Sequence, residues 1–183
     1  MKPSRKPADS PPKKSPGKLR NYLLAAGVVA AVVIVAAIFL TVQPSPPRDE
    51  AARFQQAGAL YTKSVDLANE GQNLTDQGKI QEAQENFKEA LQDADDALAL
   101  NATSLNALIQ TQRSGVLVAL GRYADANAAA DAALSIKGNL TTLQSIAWFN
   151  KGNALRNLGR LEEAKAAYSN ATALDPTLKP PVI

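Results

Sequence analysis

Trp148-Phe149-Asn150-Lys151-Gly152-Asn153-Ala154-Leu155, followed by Leu158-Gly159-Arg160-Leu161-Glu162-Glu163-Ala164 and then by Tyr168, Ala171 and Asp175-Pro176, is the stretch that sets the fold. Trp148, Leu155, Leu158 and Tyr168 recur at helical spacing and supply an apolar stripe to be buried. Gly152 and Ala164 are small, as two closely passing helices require. Gly159 follows a leucine that ends one helix, and glycine enters the left-handed cap conformation at least cost. Pro176 falls just past the second helix, where its missing N–H matters least. Two apolar-faced helices joined by a one-glycine turn pack as an antiparallel hairpin.

The stretch resembles a tetratricopeptide repeat (TPR), a helix–turn–helix unit of about 34 residues written W-x₂-L-G-x₂-Y…A-x₃-F…P. Trp148, Gly152, Ala164, Tyr168 and Pro176 take the tryptophan, glycine, alanine, phenylalanine and proline places, and Leu155 takes that of tyrosine. Lys151 departs from the pattern, standing where leucine is usual. Upstream, the punctuation Gly159-Arg160-Leu161 recurs as Gly121-Arg122-Tyr123 and Gly78-Lys79-Ile80. Each is followed at one spacing by Ala83, Ala126 or Ala164, then by Phe87, Ala130 or Tyr168, then by Ala90, Ala133 or Ala171. The turn glycines are 43 and 38 residues apart, so residues are inserted between units. The first excess fits a longer helix, because Leu91, Ala94, Leu98 and Leu100 keep a helical period. The second fits a longer loop at Lys137-Gly138-Asn139, in which Gly138 is expected to tolerate a side chain.

Three hairpins are therefore expected, the third matching the family best. The second puts Gln110 in the tryptophan place and Ser114 in the glycine place. The first keeps Gly71, Leu74 and Phe87, with Leu67 for tryptophan. A bundle of three helix pairs without repeat geometry is the alternative. The resemblance implies a peptide-binding groove made by the first helix of each hairpin. Its lining would be Ala68, Gln72 and Thr75; then Thr111, Gly115 and Val118; then Phe149, Asn153 and Arg156. That surface is small and nearly neutral, and the Lys/Asn clamp that some members close on a C-terminal carboxylate is not assembled.

Working outward to the N-terminus, residues 1–20 carry seven basic residues against Asp9, a net charge of +6. Beyond residue 43 there are 13 basic and 16 acidic residues. Between the two lies Tyr22–Val42, a run of 21 residues without a charge. As a helix it would span about 32 Å, close to the roughly 30 Å hydrocarbon core of a bilayer. A cleaved signal peptide competes with this reading, but the apolar run exceeds a signal h-region and no small-x-small site follows it. The expected organisation is a disordered basic tail at 1–20, a transmembrane helix at 21–43 and a Pro-rich linker at 44–48. A repeat domain at 49–176 and a C-terminal tail at 177–183 complete it. The positive-inside rule places the tail in the cytoplasm and residues 44–183 on the extracytoplasmic side.

The chain has no cysteine and no histidine, which removes disulfides, thiol nucleophiles, Cys/His zinc sites and histidine acid–base chemistry. No carboxylates are spaced as an acid–base couple. Asp93, Asp95 and Asp96 are expected to fan over a solvated helix side without forming a calcium cage. Neither an enzyme, nor a cofactor, nor a nucleic-acid partner is expected. Four Asn-x-Thr sequons occur, at Asn73, Asn101, Asn139 and Asn170, and those at Asn101 and Asn139 fall in predicted loops where a glycan fits. The expected fold is all-α, a single transmembrane helix followed by a TPR-like solenoid of three hairpins. The expected function is a membrane-tethered scaffold binding a protein or peptide. The alternative is a self-assembling subunit of a membrane complex. Pro180 and Pro181 cannot sit inside a capping helix, so the outer face of the last helix, with Tyr168 and Leu174, is expected to meet a second copy or a partner.

Overall fold

The computed structural model describes residues 48–138 and 140–183. The basic tail, the Tyr22–Val42 run and all of the linker before Arg48 lie outside the described residues, as does Asn139. Among the described residues no helix is long and apolar enough to cross a membrane. The described residues belong to one compact unit.

Six α-helices make up the described part: α1 (Arg48–Asp76), α2 (Ile80–Ala99), α3 (Asn106–Ala119), α4 (Tyr123–Ser135), α5 (Thr141–Asn157) and α6 (Leu161–Leu174). A single 3₁₀ turn at Thr103–Leu105 leads into α3. The helices pair as α1/α2, α3/α4 and α5/α6, and the hairpins stack in chain order, α2 on α3, α4 on α5 and α3 on α5.

The three hairpin turns share one geometry because they share one chemistry. Gly78, Gly121 and Gly159 have φ of 77°, 72° and 77°, the left-handed region that costs other L-residues about 1–2 kcal/mol. In each, the glycine N–H bonds back three residues and the next N–H bonds back five, as in Arg160 N–H to the Leu155 carbonyl at 2.9 Å. This double closure satisfies carbonyls that a helix end otherwise leaves open. Gly138 corrects the expectation for its loop. Its φ is 154°, and a Cβ there would stand 3.3 Å from the Leu140 side chain, so a side chain is disfavoured.

Alanine dominates the buried positions, including Ala83, Ala90, Ala94, Ala126, Ala130, Ala164 and Ala171. Small side chains let helices approach closely but each buries little area, so a few large residues anchor the packing. Ile109, Leu117 and Leu155 are enclosed almost completely. One cluster joins the first two hairpins through Leu74, Phe87, Leu91, Val116 and Leu117. Another, with Ala57, Ala94, Ala97 and Ile109, holds the far end of α1 and α2 against α3. The third lies within the last hairpin, where Leu155, Ala164, Ala167 and Tyr168 pack with Trp148 and Phe149. Trp148 is half-buried rather than enclosed.

The outer face of α6 differs from expectation. Ala164, Ala167, Tyr168 and Ala171 are buried, leaving Leu161 and Leu174 as the exposed members of that set. Pro180, Pro181 and Ile183 line one cleft together with Lys165, Tyr168 and Thr172, so the C-terminal segment folds back on α6. Tyr168 is thus unavailable as the contact residue for a second copy.

Candidate functional site

Helix α5 carries the best-defined part of the expected groove. Phe149, Asn153 and Arg156 follow one another at spacings of four and three, which places them on one helix face, and all three are half-buried. The Phe149 ring meets Tyr168 edge-on, with centroids 5.6 Å apart and planes at 62°. The Tyr168 hydroxyl donates to Asn153 Oδ1 at 2.7 Å. Burial pushes the Tyr168 phenol up, and the nearby positive charge of Arg156 offsets part of that rise. Asn153 thus has its carbonyl oxygen committed to the fold, while its amide NH₂ is free among the described residues. The face presents an aromatic edge, an amide donor and a guanidinium in sequence.

The other expected positions contribute differently. Thr111 corrects the sequence reading: it is 4% exposed and its hydroxyl donates to the Ala107 carbonyl, so it offers a ligand no surface. Gly115 lies beneath the Asn150 amide, where a Cβ would come within 3.3 Å of Nδ2. Val118 and Ala68 are half-buried and pack against the core shared by the first two hairpins. Thr75 is half-buried and bonds back to the Gly71 carbonyl, whereas Gln72 is exposed and reaches Asp76. Arg156 is the one cation in the set.

Asn150 was not marked by its spacing. It is a polar residue between Phe149 and Lys151, and nothing in the local pattern distinguishes it. Its Nδ2 crosses to α3, donating to the Thr111 carbonyl at 3.3 Å and to Ser114 Oγ at 2.9 Å. It thereby ties α5 to α3. Gln112 plays a comparable part toward the first hairpin, donating to the Ser64 carbonyl at 3.4 Å.

Two ionic features also differ from the sequence reading. The acidic cluster on α2 is solvated only in part, with Asp96 exposed and Asp93 buried. Asp93 is 7% exposed and bound by Lys63 at 3.0 Å, and Asp95 pairs with Arg113 of the next hairpin. Asp96 accepts from Gln92. Lys151 has a physical reason for standing in a leucine place: it pairs with Asp131 of α4 and lies 5.3 Å from the Trp148 ring. A cation there ties the third hairpin to the second, with the indole face as a further partner.

The repeat-signature residues fall where hairpin packing needs them. A Cβ on Gly152 would sit 2.6 Å from the Tyr168 ring, so the glycine is the hole that the ring fills. Leu155, Ala164 and Ala171 are buried against the same helix pair. Gly159 forms the turn, and Pro176 is exposed just beyond α6. Asn101 is exposed between α2 and the 3₁₀ turn.

Residues 145–178 match the family model described as Tetratricopeptide repeat. The sequence matches no curated protein significantly. Among solved structures, the first TPR domain of the human RPAP3 protein is 23% identical, with a TM-score of 0.46, covering 63% of this chain and 81% of that one. The first TPR of Spaghetti (RPAP3), bound to the HSP90 peptide SRMEEVD, is 24% identical, with a TM-score of 0.45 and coverages of 64% and 83%. The segment that matches the tetratricopeptide-repeat model is the last of three helical hairpins in an all-α domain.

Proposed function

We propose that this protein is a membrane-tethered, non-enzymatic interaction module whose repeat domain binds a protein or peptide segment on the extracytoplasmic side. The observation that carries the binding role is the α5 face, where Phe149, Asn153 and Arg156 align beside a tetratricopeptide core. Gln72 and Val118 supply no second cation, so an internal peptide segment with an acidic or amide-accepting group suits the face better than a free C-terminus. The tether rests on the uncharged run Tyr22–Val42 and the basic residues before it. The non-enzymatic role rests on the missing histidine and cysteine and the lack of any paired-carboxylate spacing. A self-assembling role has less support, because Tyr168 is buried beside the C-terminal segment and only Leu161 and Leu174 of the expected contact set stay exposed.

The test is a peptide-display selection on the full chain in detergent. Peptides selected by the wild type are expected to bind the Phe149→Ala/Arg156→Glu variant at least tenfold more weakly, about 1.4 kcal/mol. A peptide ending in Glu-Glu-Val-Asp should bind no better than its amidated form. Equal binding to wild type and variant, with folding checked by circular dichroism, would remove the α5 face as the site. Protease added to intact cells, after removal of any wall, should digest an epitope near residue 180 and spare the N-terminal tail.

A further inference from the structure

We infer that Asn101 is an N-glycosylation acceptor, modified by transfer from a polyprenyl-phosphate- or polyprenyl-pyrophosphate-linked oligosaccharide. The inference rests on the extracytoplasmic reading above and separates the described sequons by geometry. Asn73 and Asn170 both lie in helices, where residues two apart point about 200° away from one another. Their partner hydroxyls are also engaged: Thr75 Oγ1 donates to the Gly71 carbonyl at 2.9 Å, and Thr172 Oγ1 to the Tyr168 carbonyl at 3.0 Å. A transferase needs the asparagine amide and the +2 hydroxyl exposed together, and neither sequon inside an α-helix offers that, Thr75 and Thr172 being half-buried.

In Asn101-Ala102-Thr103 both residues are exposed, on either side of buried Ala102, where α2 gives way to the 3₁₀ turn that Thr103 opens. Asn101 is exposed and has φ of 53°, the one non-glycine with positive φ among the described residues. Its N–H closes the end of α2 on the Leu98 carbonyl, so the side chain projects from a turn rather than a helix wall. Asparagine tolerates this left-handed conformation, which accounts for residue 101 by itself. It does not account for Thr103, which is exposed and whose hydroxyl has no partner among the described residues. Asn101 Nδ2 is held only by a long 3.4 Å contact to the Ala99 carbonyl. Beside the turn, Ala102, Thr103 and Ser104 line a cleft of about 320 Å³ with Glu50, Ala51, Phe54 and Gln55 of α1. In the transfer, Asn101 Nδ2 attacks the anomeric carbon of the donor. The C1–N bond forms, the C1–O bond to phosphate breaks with its electron pair leaving on the phosphate, and the amide proton passes to a base of the transferase.

The experiment is translation of the full chain with endoplasmic-reticulum microsomes, read by mass spectrometry of the peptide containing residue 101 and by protease protection of the domain. The wild type should carry a glycan on Asn101 that N-glycosidase removes. Asn101→Gly keeps the left-handed turn and should lose it, Thr103→Ala should lose it, and Thr103→Ser should retain it. Asn73→Gln and Asn170→Gln should leave the Asn101 glycan in place. A protected domain with bare Asn101 overturns the inference and leaves the topology standing. A domain digested from the outside of the microsomes overturns both.

Discussion

The second and third hairpins follow the same path with different residues at the point where their helices cross. In the third, Gly152 lies under the Tyr168 ring, and in the first, Gly71 lies under Phe87, where an added Cβ would stand 2.7 Å from the ring. In the second, the same two places hold Ser114 and Ala130, both fully buried. The volume is shared differently: where the ring is lost, the opposite helix gains a hydroxymethyl group. The serine then brings a polar atom inward, and its hydroxyl is satisfied by donating to the Thr111 carbonyl and accepting from Asn150. Packing at native density requires that the pair fill the gap, not that either residue be of one type. The family signature is therefore one solution of a volume constraint that the second hairpin meets another way.

Transplanting the second hairpin's pair into the third tests this most directly. Tyr168→Ala alone is expected to cost about 3–5 kcal/mol in urea melts, since it empties the space above Gly152 and removes the bond to Asn153. Gly152→Ser alone should cost about 1–3 kcal/mol by driving an atom into the ring. The double variant should be more stable than the sum of the two losses by about 1 kcal/mol or more. Strict additivity would show that the two places do not share volume.

The turns provide a sharper contrast, because their glycines are required by backbone and not by space. Apart from its chain neighbours, no residue comes within 4 Å of a Cβ built on Gly159, so the cost there comes from the backbone and not from packing. Gly159→Val is expected to destabilise by about 1–2 kcal/mol, with Gly159→Asn close to wild type because asparagine tolerates the same region. Gly138→Ala should also destabilise, contrary to what an inserted loop suggests. If valine and asparagine at 159 melt alike, the left-handed turn is not the reason for the glycine.

The smallest effect expected is electrostatic and belongs to the same turn. Arg160 forms a two-pronged pair with Glu163, its Nε and Nη2 reaching the two carboxylate oxygens at 2.7 and 2.6 Å. That hydrogen bonding holds the Glu163 carboxyl below its ordinary value, chiefly through the guanidinium bonds. A depressed folded-state value means the pair favours folding above the unfolded carboxylate range and ceases to do so as pH falls through the folded value. Both groups are exposed, so the contribution to stability is slight. NMR titration should show Glu163 protonating below an ordinary glutamate, and Arg160→Gln should return it upward; an unchanged titration would mean the pair does not persist in solution.

Sequence alone determined the helices, their pairing into three hairpins and the three glycine turns. Those features are local: a helical period, a left-handed cap and a breaking proline are all set by residues within about four positions of each other. What lies across the helices was decided by tertiary structure. Lys63 with Asp93, Arg113 with Asp95 and Lys151 with Asp131 look like solvated charges when read along the chain, yet each pair spans two helices. Asn150 reaches Thr111 and Ser114, 39 and 36 residues away, and carries no mark in its own neighbourhood. Thr111 has the right spacing for a groove position but is buried, because α5 packs over that side of α3. Spacing along a helix specifies which residues share a face, and only the neighbouring helices specify whether that face meets water, a partner or the core.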